Sequence, residues 1–399
     1  MSLAAAQAFM RERRIGGWLL HDFRGNNPVL ARLLPGKRWT TRRAALLLPS
    51  EGEARLLAHT IDAAQFEGVT GGTGNTGGTP VLLETYTSWR ELHAWLGQAA
   101  ALGRVAMEYS AGAALPVVGI VDGGTIDLLR GLGAEVVSSA DLIQLAAATW
   151  SKAAREQHAR ASRETARIKD GAFALIRERL ASGAAVHEVE VQRWMVDEFA
   201  RAGLESTEPP IVAVNAHAGD PHYEPKAESS SPIRRGDWVL IDLWARVPGE
   251  ENIFSDITWV ACAGAPTAKQ RGVFETVKRA RDASIRRAKD AWRAKERVQG
   301  WQLDDAARQE LIGAGMEGFI RHRTGHSLSP GPMVHGLGMN LDNLETHDTR
   351  EMLPGIGFTV EPGLYLPEFG VRLEVNLYVD PGEGPVVTSC VQDEIVALA

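Results

Sequence analysis

Apolar and polar positions along the chain follow two periods, and the switch between them outlines its elements. In the first part, MSLAAAQAFMRERRIGG reaches Arg11 to Arg14 before any long apolar run and reads as an amphipathic surface helix. GWLL and then AALLLPSEGEARLLAH are short apolar runs broken by turn residues, with a hairpin turn predicted at Ser50 to Glu53. WRELHAWLGQAAAL has helical spacing, RVAMEY reads as a strand, and helix and strand alternate through DLLRGLGAEVV. The glycine run Gly71 to Gly78 predicts a surface loop and not a phosphate cradle, because no strand-to-helix setting surrounds it.

At Ser151 the pattern changes. SKAAREQHARASRETARIKDGAFALIRERL places Ala, Ile and Leu at helical spacing with charges of both signs outside. Beyond the boundary, near Thr149 to Lys152, helices are predicted over 153–203, strands over 209–262, helices over 267–315 and strands over 317–397. A helix-then-sheet unit is thus used twice. The expected organisation is α+β, with an α/β domain at 1–150 followed by a second domain at 151–399.

Length supports that division, since 399 residues exceed the roughly 250 to 300 at which a single core stops growing. Hydrophobic residues at 44% and charged residues at 23% are ordinary for a globular protein. A net charge of −7 provides no field to gather nucleic acid or anionic lipid, so small or peptide ligands are the expected partners. Neither a signal-peptide core nor an apolar run of about 18 residues occurs, so no membrane association is expected. Two cysteines, Cys262 and Cys390, form no disulfide framework and fit a reducing cytoplasm.

The chemistry is carried by acids inside strands. DWVLIDLWARV and NIFSDITWVACAG flank a link containing Pro248 and Gly249, and each holds one aspartate in its apolar run. Asp242 and Asp256 are equidistant from Gly249, so a hairpin folded there would set them opposite each other with Cβ atoms about 5 Å apart. GFTVEPGLYLPEFGVRLEVNLYV repeats the device, with Glu361 and Glu374 equidistant from the Pro367 and Glu368 junction. A single strand acid usually sits on a solvated face. Two pairs in repeated halves point instead to convergence, and four converging carboxylates need cations or protons. Between the hairpins, HRTGHSLSPGPMVHGLG holds His322, His326 and His335. Imidazole beside carboxylate oxygen suits manganese, cobalt, iron or zinc better than calcium, although a histidine in such a glycine-rich segment is often structural.

Residues 150 to 399 resemble the pita-bread metallopeptidases, the group containing prolidase, aminopeptidase P and methionine aminopeptidase. IDLWARV with FSDITWV is similar to the family's two-aspartate segment, TGHSLS to its metal-histidine segment, TVEPGLY to its first glutamate segment and GVRLEVNLYV to its last. The first 150 residues, including RGNNPVLARLL, resemble the N-terminal domain of creatinase and prolidase. The resemblance therefore implies a creatinase/prolidase-like N-terminal α/β domain followed by a pita-bread catalytic domain. It also implies Asp242, Asp256, His326, Glu361 and Glu374 as ligands of two divalent ions (manganese, cobalt or zinc), and a homodimer. The PGKRWTTRR loop around Trp39 is a candidate for an overhanging dimer contact, or else packs within its own domain.

Three departures stand out. The aspartates are more widely spaced than is usual in the family, the usual Gly-His-Gly is Gly325, His326, Ser327, and the usual His-Glu pair is His335, Gly336. A divergent subfamily is implied. By the same resemblance, the reaction is hydrolysis of Xaa-Pro dipeptides by a metal-bridging hydroxide. Glu361 would receive the water proton, with His222 and His335 contacting the substrate or its tetrahedral intermediate. Arg372 would bind a substrate carboxylate or steady Glu374, and Tyr365 would line the pocket or pack as an aromatic. Aminopeptidase P action on longer peptides is the close alternative. Relatives that only bind proteins define a third reading, a non-catalytic module, but they have lost the ligand set.

Overall fold

The computed structural model describes residues 3–34, 36, 38–69 and 81–399. The chain divides into two compact units, Met1–Thr149 and Trp150–Ala399. No helix among the described residues is long and apolar enough to cross a membrane.

The first unit is built on a six-stranded sheet of β1 (Gly17–Phe23), β2 (Arg43–Pro49), β3 (Ala54–His59), β4 (Val81–Tyr86), β5 (Arg104–Met107) and β6 (Glu135–Ser138). Its order is β4-β3-β2-β1-β5-β6. The β2–β3 hairpin turns where expected, with Gly52 at φ 97°, a conformation that favours glycine. The helix Trp89–Ala100 starts with a capping box between Ser88 and Glu91. It lays Leu92, Trp95 and Leu96 against Leu19, Leu47 and Val105 of the sheet. In the RGNNPVLARLL stretch, Asn27 caps the helix Pro28–Leu33 and donates to the buried carboxylate of Glu108 at 2.9 Å. The glycine run Gly71 to Gly78 lies outside the described residues, as do Pro35 and Lys37 of the Trp39 loop. Trp39 itself is 76% exposed, so it does not pack within its own unit.

The second unit runs in the predicted order. The helix Lys152–Ser182 starts at a Ser151 cap and ends at Gly183 with φ 71°. The helix Glu188–Ala202 follows, then β7 (Ile211–Val214), β8 (Trp238–Ala245) and β9 (Ser255–Cys262). Two more helices, Ala268–Ala294 and Gly300–Gly313, precede β10 (Ser327–Leu328), β11 (Gly357–Val360), β12 (Gly363–Tyr365), β13 (Gly370–Arg372), β14 (Val375–Asp380), β15 (Gly384–Val387) and β16 (Val396–Ala397). One sheet has the order β16-β9-β8-β7 and the other β10-β11-β14-β15, with β12 and β13 paired separately.

Strand alternation decides what faces the interior. Val239, Ile241, Leu243, Ile257 and Ala261 of β8 and β9 pack against Phe173, Ile176, Met195 and Phe199 of the first helix pair. The intervening positions, among them Leu240 and Val260, turn toward Phe274, Val277 and Leu311 of the second helix pair. Asp242, Asp256 and Thr258 share the parity of Leu240 and Val260, so they point into this second interior.

The first hairpin departs from the expected register. Asp242 pairs with Thr258, and Asp256 with Trp244. The link from Arg246 to Phe254 is centred on Glu250 because Asn252 closes it, its N–H donating to Gly249 and its side chain to Val247 and Pro248. Moving the centre by one residue moves the register by two, which keeps both acids on one face but makes them diagonal neighbours with Thr258 beside them. The second hairpin keeps the expected register. Val360 pairs with Val375 and Gly363 with Arg372, so Glu361 and Glu374 stand across from each other between the two ladders.

Trp150 anchors the strand leading to Glu361. Its indole N–H donates to Leu328 O at 2.7 Å, its ring stacks on Tyr378 at 5.1 Å, and a methyl group on Gly357 would collide with it. Gly357→Ala is therefore expected to destabilise the protein by about 1–3 kcal/mol through overpacking. Urea unfolding checks this, and an unchanged midpoint would remove Trp150 as the constraint on this strand.

Candidate metal centre

Each of the five acid and histidine positions comes from a different stretch of backbone, and the hairpins bring them together. Asp242 lies on β8, Asp256 on β9, His326 just before β10, Glu361 just after β11 and Glu374 just before β14. Asp242, Asp256, His326 and Glu374 are buried. His326 Nε2 is 3.4 Å from Asp256 Oδ2 and 3.5 Å from Glu361 Oε1. One potential ligand atom from each of Asp256, His326 and Glu374 lies within 4.8 Å of the others.

Hydrogen bonding leaves this cluster short of positive partners. The Thr258 hydroxyl is 3.0 Å from Asp242 Oδ1 and 2.9 Å from Glu374 Oε2, but its one proton serves only one of them. Glu374 Oε1 is buried without a hydrogen-bond partner among the described residues. Burial pushes the Asp256 carboxyl well above its ordinary range, and the Asp242 charge pushes it further. Glu374 is raised the same way, by burial and then by Asp256, Glu361 and Asp242. Burial also raises Glu361, against the opposing pull of His326 and Arg372. His326 is lowered by burial and so presents a neutral imidazole. Unpartnered carboxylate oxygens beside a neutral imidazole fit divalent cations, and mixed oxygen and nitrogen donors suit manganese, cobalt or zinc.

Arg372 forms the support of this cluster. Its guanidinium reaches Asp242 Oδ2 at 2.5 Å, Thr258 Oγ1 at 3.0 Å and the Tyr365 hydroxyl oxygen at 2.7 Å. Because arginine only donates, Tyr365 donates in turn to His322 Nε2 at 2.6 Å, leaving His322 Nδ1–H to donate to Arg323 O at 2.6 Å. Burial pushes Tyr365 up to about 12, while burial and Arg372 push His322 down to about 3, so the array is fixed in one protonation state at neutral pH. Arg372 and Tyr365 are thus committed to neighbouring protein groups.

His335 and His222 stand at the edge of the cluster. The His335 ring lies 4.0 Å from that of His326 and is pushed down to about 2, chiefly because the two imidazoles would repel each other if both were protonated, and then by burial. His222 is exposed, and a positive charge on it would disfavour protonation of His322 and His335. His217 has a different place: its Nδ1 meets the buried Glu188 carboxylate at 2.9 Å and its ring stacks on Tyr223. Glu188 also accepts from Val214 N, the Tyr223 hydroxyl and Ser231 N, so it anchors the loop that carries His222.

Sequence reasoning missed Thr258 and Asn376. The Asn376 side chain brackets the Asp256 backbone, accepting from its N–H at 3.0 Å and donating to its carbonyl at 2.5 Å, which ties β14 to β9. The available signal was strand parity, since Thr258 and Asn376 each stand two residues beyond a predicted acid.

A family model described as metallopeptidase family M24 matches residues 160–381, and the chain belongs to that family. Membership implies use of a divalent metal. The Xaa-Pro dipeptidase of Pyrococcus furiosus is 32% identical over 173 residues, 42% of this chain and 44% of that protein. The chain spans about half the length of the curated relatives it matches. Among solved structures, dipeptidase PepE from Mycobacterium ulcerans aligns with a TM-score of 0.67 at 21% identity, over 99% of this chain and 96% of that one. The X-prolyl aminopeptidase of Caenorhabditis elegans, a cytosolic enzyme with a di-nuclear active site, aligns with a TM-score of 0.61 at 16% identity, over 99% of this chain and 63% of that one. The fold is accordingly the expected creatinase/prolidase-like N-terminal α/β unit followed by a pita-bread unit.

Raised carboxyl pKa values have a definite consequence for stability. A group whose folded pKa lies above its unfolded value stabilises at low pH and loses that contribution as pH rises through the folded value. In metal-free protein at pH 8, Glu374→Gln is therefore expected to stabilise the fold by about 1–3 kcal/mol, by removing a buried and partly unpartnered charge. The same change lowers bound metal. Thermal melting with elemental analysis reads both, and a destabilised variant with full metal content would refute the account of Glu374.

Proposed function

We propose that the chain hydrolyses Xaa-Pro dipeptides with two divalent ions held by Asp242, Asp256, His326, Glu361 and Glu374. The observation that carries this reading is their convergence in a buried cluster with too few protons and hydrogen-bond donors of its own. The dipeptide substrate is supported by relatives named Xaa-Pro dipeptidase. Two bound ions would supply Lewis-acid polarisation of the scissile carbonyl and lower the pKa of a nearby water toward about 7.

The remaining work falls to side chains. Glu361, raised by burial, is suited to accept a proton from the attacking water at its carboxylate and return it to the leaving nitrogen. His335, whose ring lies 4.0 Å from that of His326, and His222 would donate to the oxygen that gains charge as the carbonyl becomes tetrahedral. Arg372 holds Asp242 and Thr258 in position and has its guanidinium committed there, so we assign it a supporting role in preference to substrate contact. Tyr365, held between Arg372 and His322, belongs to the same support. Two free cysteines fit a reducing compartment such as the cytoplasm. A homodimer, as the family resemblance implies, is part of this reading and is decided by sedimentation of the purified chain.

Manganese-loaded protein is expected to cleave Leu-Pro and to leave Leu-Pro-Pro intact, with turnover abolished by Glu361→Gln. Cleavage of the tripeptide would move the assignment to an Xaa-Pro aminopeptidase. Inactivity on both, in protein that also binds no metal, would favour a protein-binding module.

A further inference from the structure

The link between β8 and β9 exposes residues 248–251 at its tip, but its base is held within the second unit. Arg246, at its start, is 5% exposed. Its guanidinium donates to Gly331 O at 2.5 Å and to Glu205 Oε1 at 2.8 Å, and its Cζ lies 4.5 Å from the centre of the Phe254 ring. From the same link, Glu250 O accepts the Gly331 N–H at 2.8 Å. Both backbone polar groups of Gly331 are therefore held by the hairpin, at a φ of 148° that favours glycine.

Gly331 belongs to the segment that carries His335. Nearby Val334 packs in one apolar cluster with Trp244, Ile253 and Phe254 of the hairpin. The far end of the segment is tied to β10: Gly336 N–H donates to Ser327 O at 2.8 Å, Leu337 N–H to Ser329 Oγ at 3.1 Å and Gly338 N–H to Ser327 Oγ at 2.9 Å. A side chain at position 336 would collide with Ser329. The three departures from the family pattern thus meet in one place. The longer hairpin holds the segment at Gly331, Ser327 holds it at Gly338, and Gly336 permits the close approach between them.

We propose that Arg246 is a positioning residue that, through Gly331, sets where His335 stands beside His326 and the carboxylate cluster. Its kinetic readout rests on the dipeptidase reading, whereas its structural readout does not. The guanidinium serves Gly331 and Glu205 from separate nitrogens of one planar fork, a geometry that a single ammonium nitrogen reproduces only in part.

Hydrogen exchange on full-length, manganese-loaded protein tests the structural part. Arg246→Met is expected to speed exchange across 329–337 roughly tenfold while β9 and β14 stay as protected as before, and Arg246→Lys to restore part of the protection. A uniform rise across the second unit, or no change in the segment, would overturn the proposal. The kinetic part is a double-mutant cycle on Leu-Pro. Arg246→Met is expected to lower kcat/KM roughly tenfold in the native background and less than about twofold when combined with His335→Ala. Equal losses in both backgrounds would show that Arg246 does not act through His335. Segment-specific exchange in a protein that cleaves neither Leu-Pro nor Leu-Pro-Pro would uphold the positioning role and count against the dipeptidase reading alone.

Discussion

Four carboxylates, Asp242, Asp256, Glu361 and Glu374, share an interior with the guanidinium of Arg372 and the neutral imidazole of His326. An ionised carboxylate in such a place is unfavourable by several kcal/mol unless it is paired, and one arginine cannot pair four. Every nearby structural choice bears on this constraint. Thr258 is wedged between two of the acids, Arg372 is drawn onto Asp242, and the carboxyls are pushed toward their protonated forms. A site so arranged is unstable by itself and becomes favourable when cations enter, which is how a binding site stores affinity in a fold.

The scaffold imposes the arrangement through strand parity and brackets between strands. Alternation along β8 and β9 sends one set of side chains to the first helix pair and the acids to the opposite interior. Asn376 locks the Asp256 backbone to β14, so the distance between the two halves of the site is set by amide hydrogen bonds and not by the repelling carboxylates themselves. Trp150, stacked on Tyr378 and bonded to Leu328 O, does the corresponding work beneath the His326 segment. Rigidity of this kind is what holds like charges together.

Much of this was legible in the sequence because it depends on local periodicity. The strands around Asp242 and Asp256, the helix beginning after Ser151 and the register that sets Glu361 across from Glu374 all follow from apolar spacing and turn residues. The first hairpin differs by two residues from symmetry about Gly249 because its link, closed by Asn252, is centred on Glu250, and that symmetry does not reveal the Asn252 side-chain bonds. The commitments of Arg372, Tyr365 and His322 were hidden for a different reason. Asp242 and Thr258 lie far from Arg372 in the chain, as His322 does from Tyr365, and hydrogen-bond direction among them is decided only once all are in contact. Loop segments such as the one carrying His335 have no periodicity to read, so their anchors at Arg246 and Glu250 emerge only from the fold.

The central claim is that this cluster is completed by two cations that displace protons from its carboxyls. Calorimetric titration of manganese into metal-free protein, run in two buffers of different ionisation enthalpy, measures stoichiometry and proton release together. The account predicts two ions per chain with net release of protons on binding. Binding without proton release, or no binding at all, would contradict it.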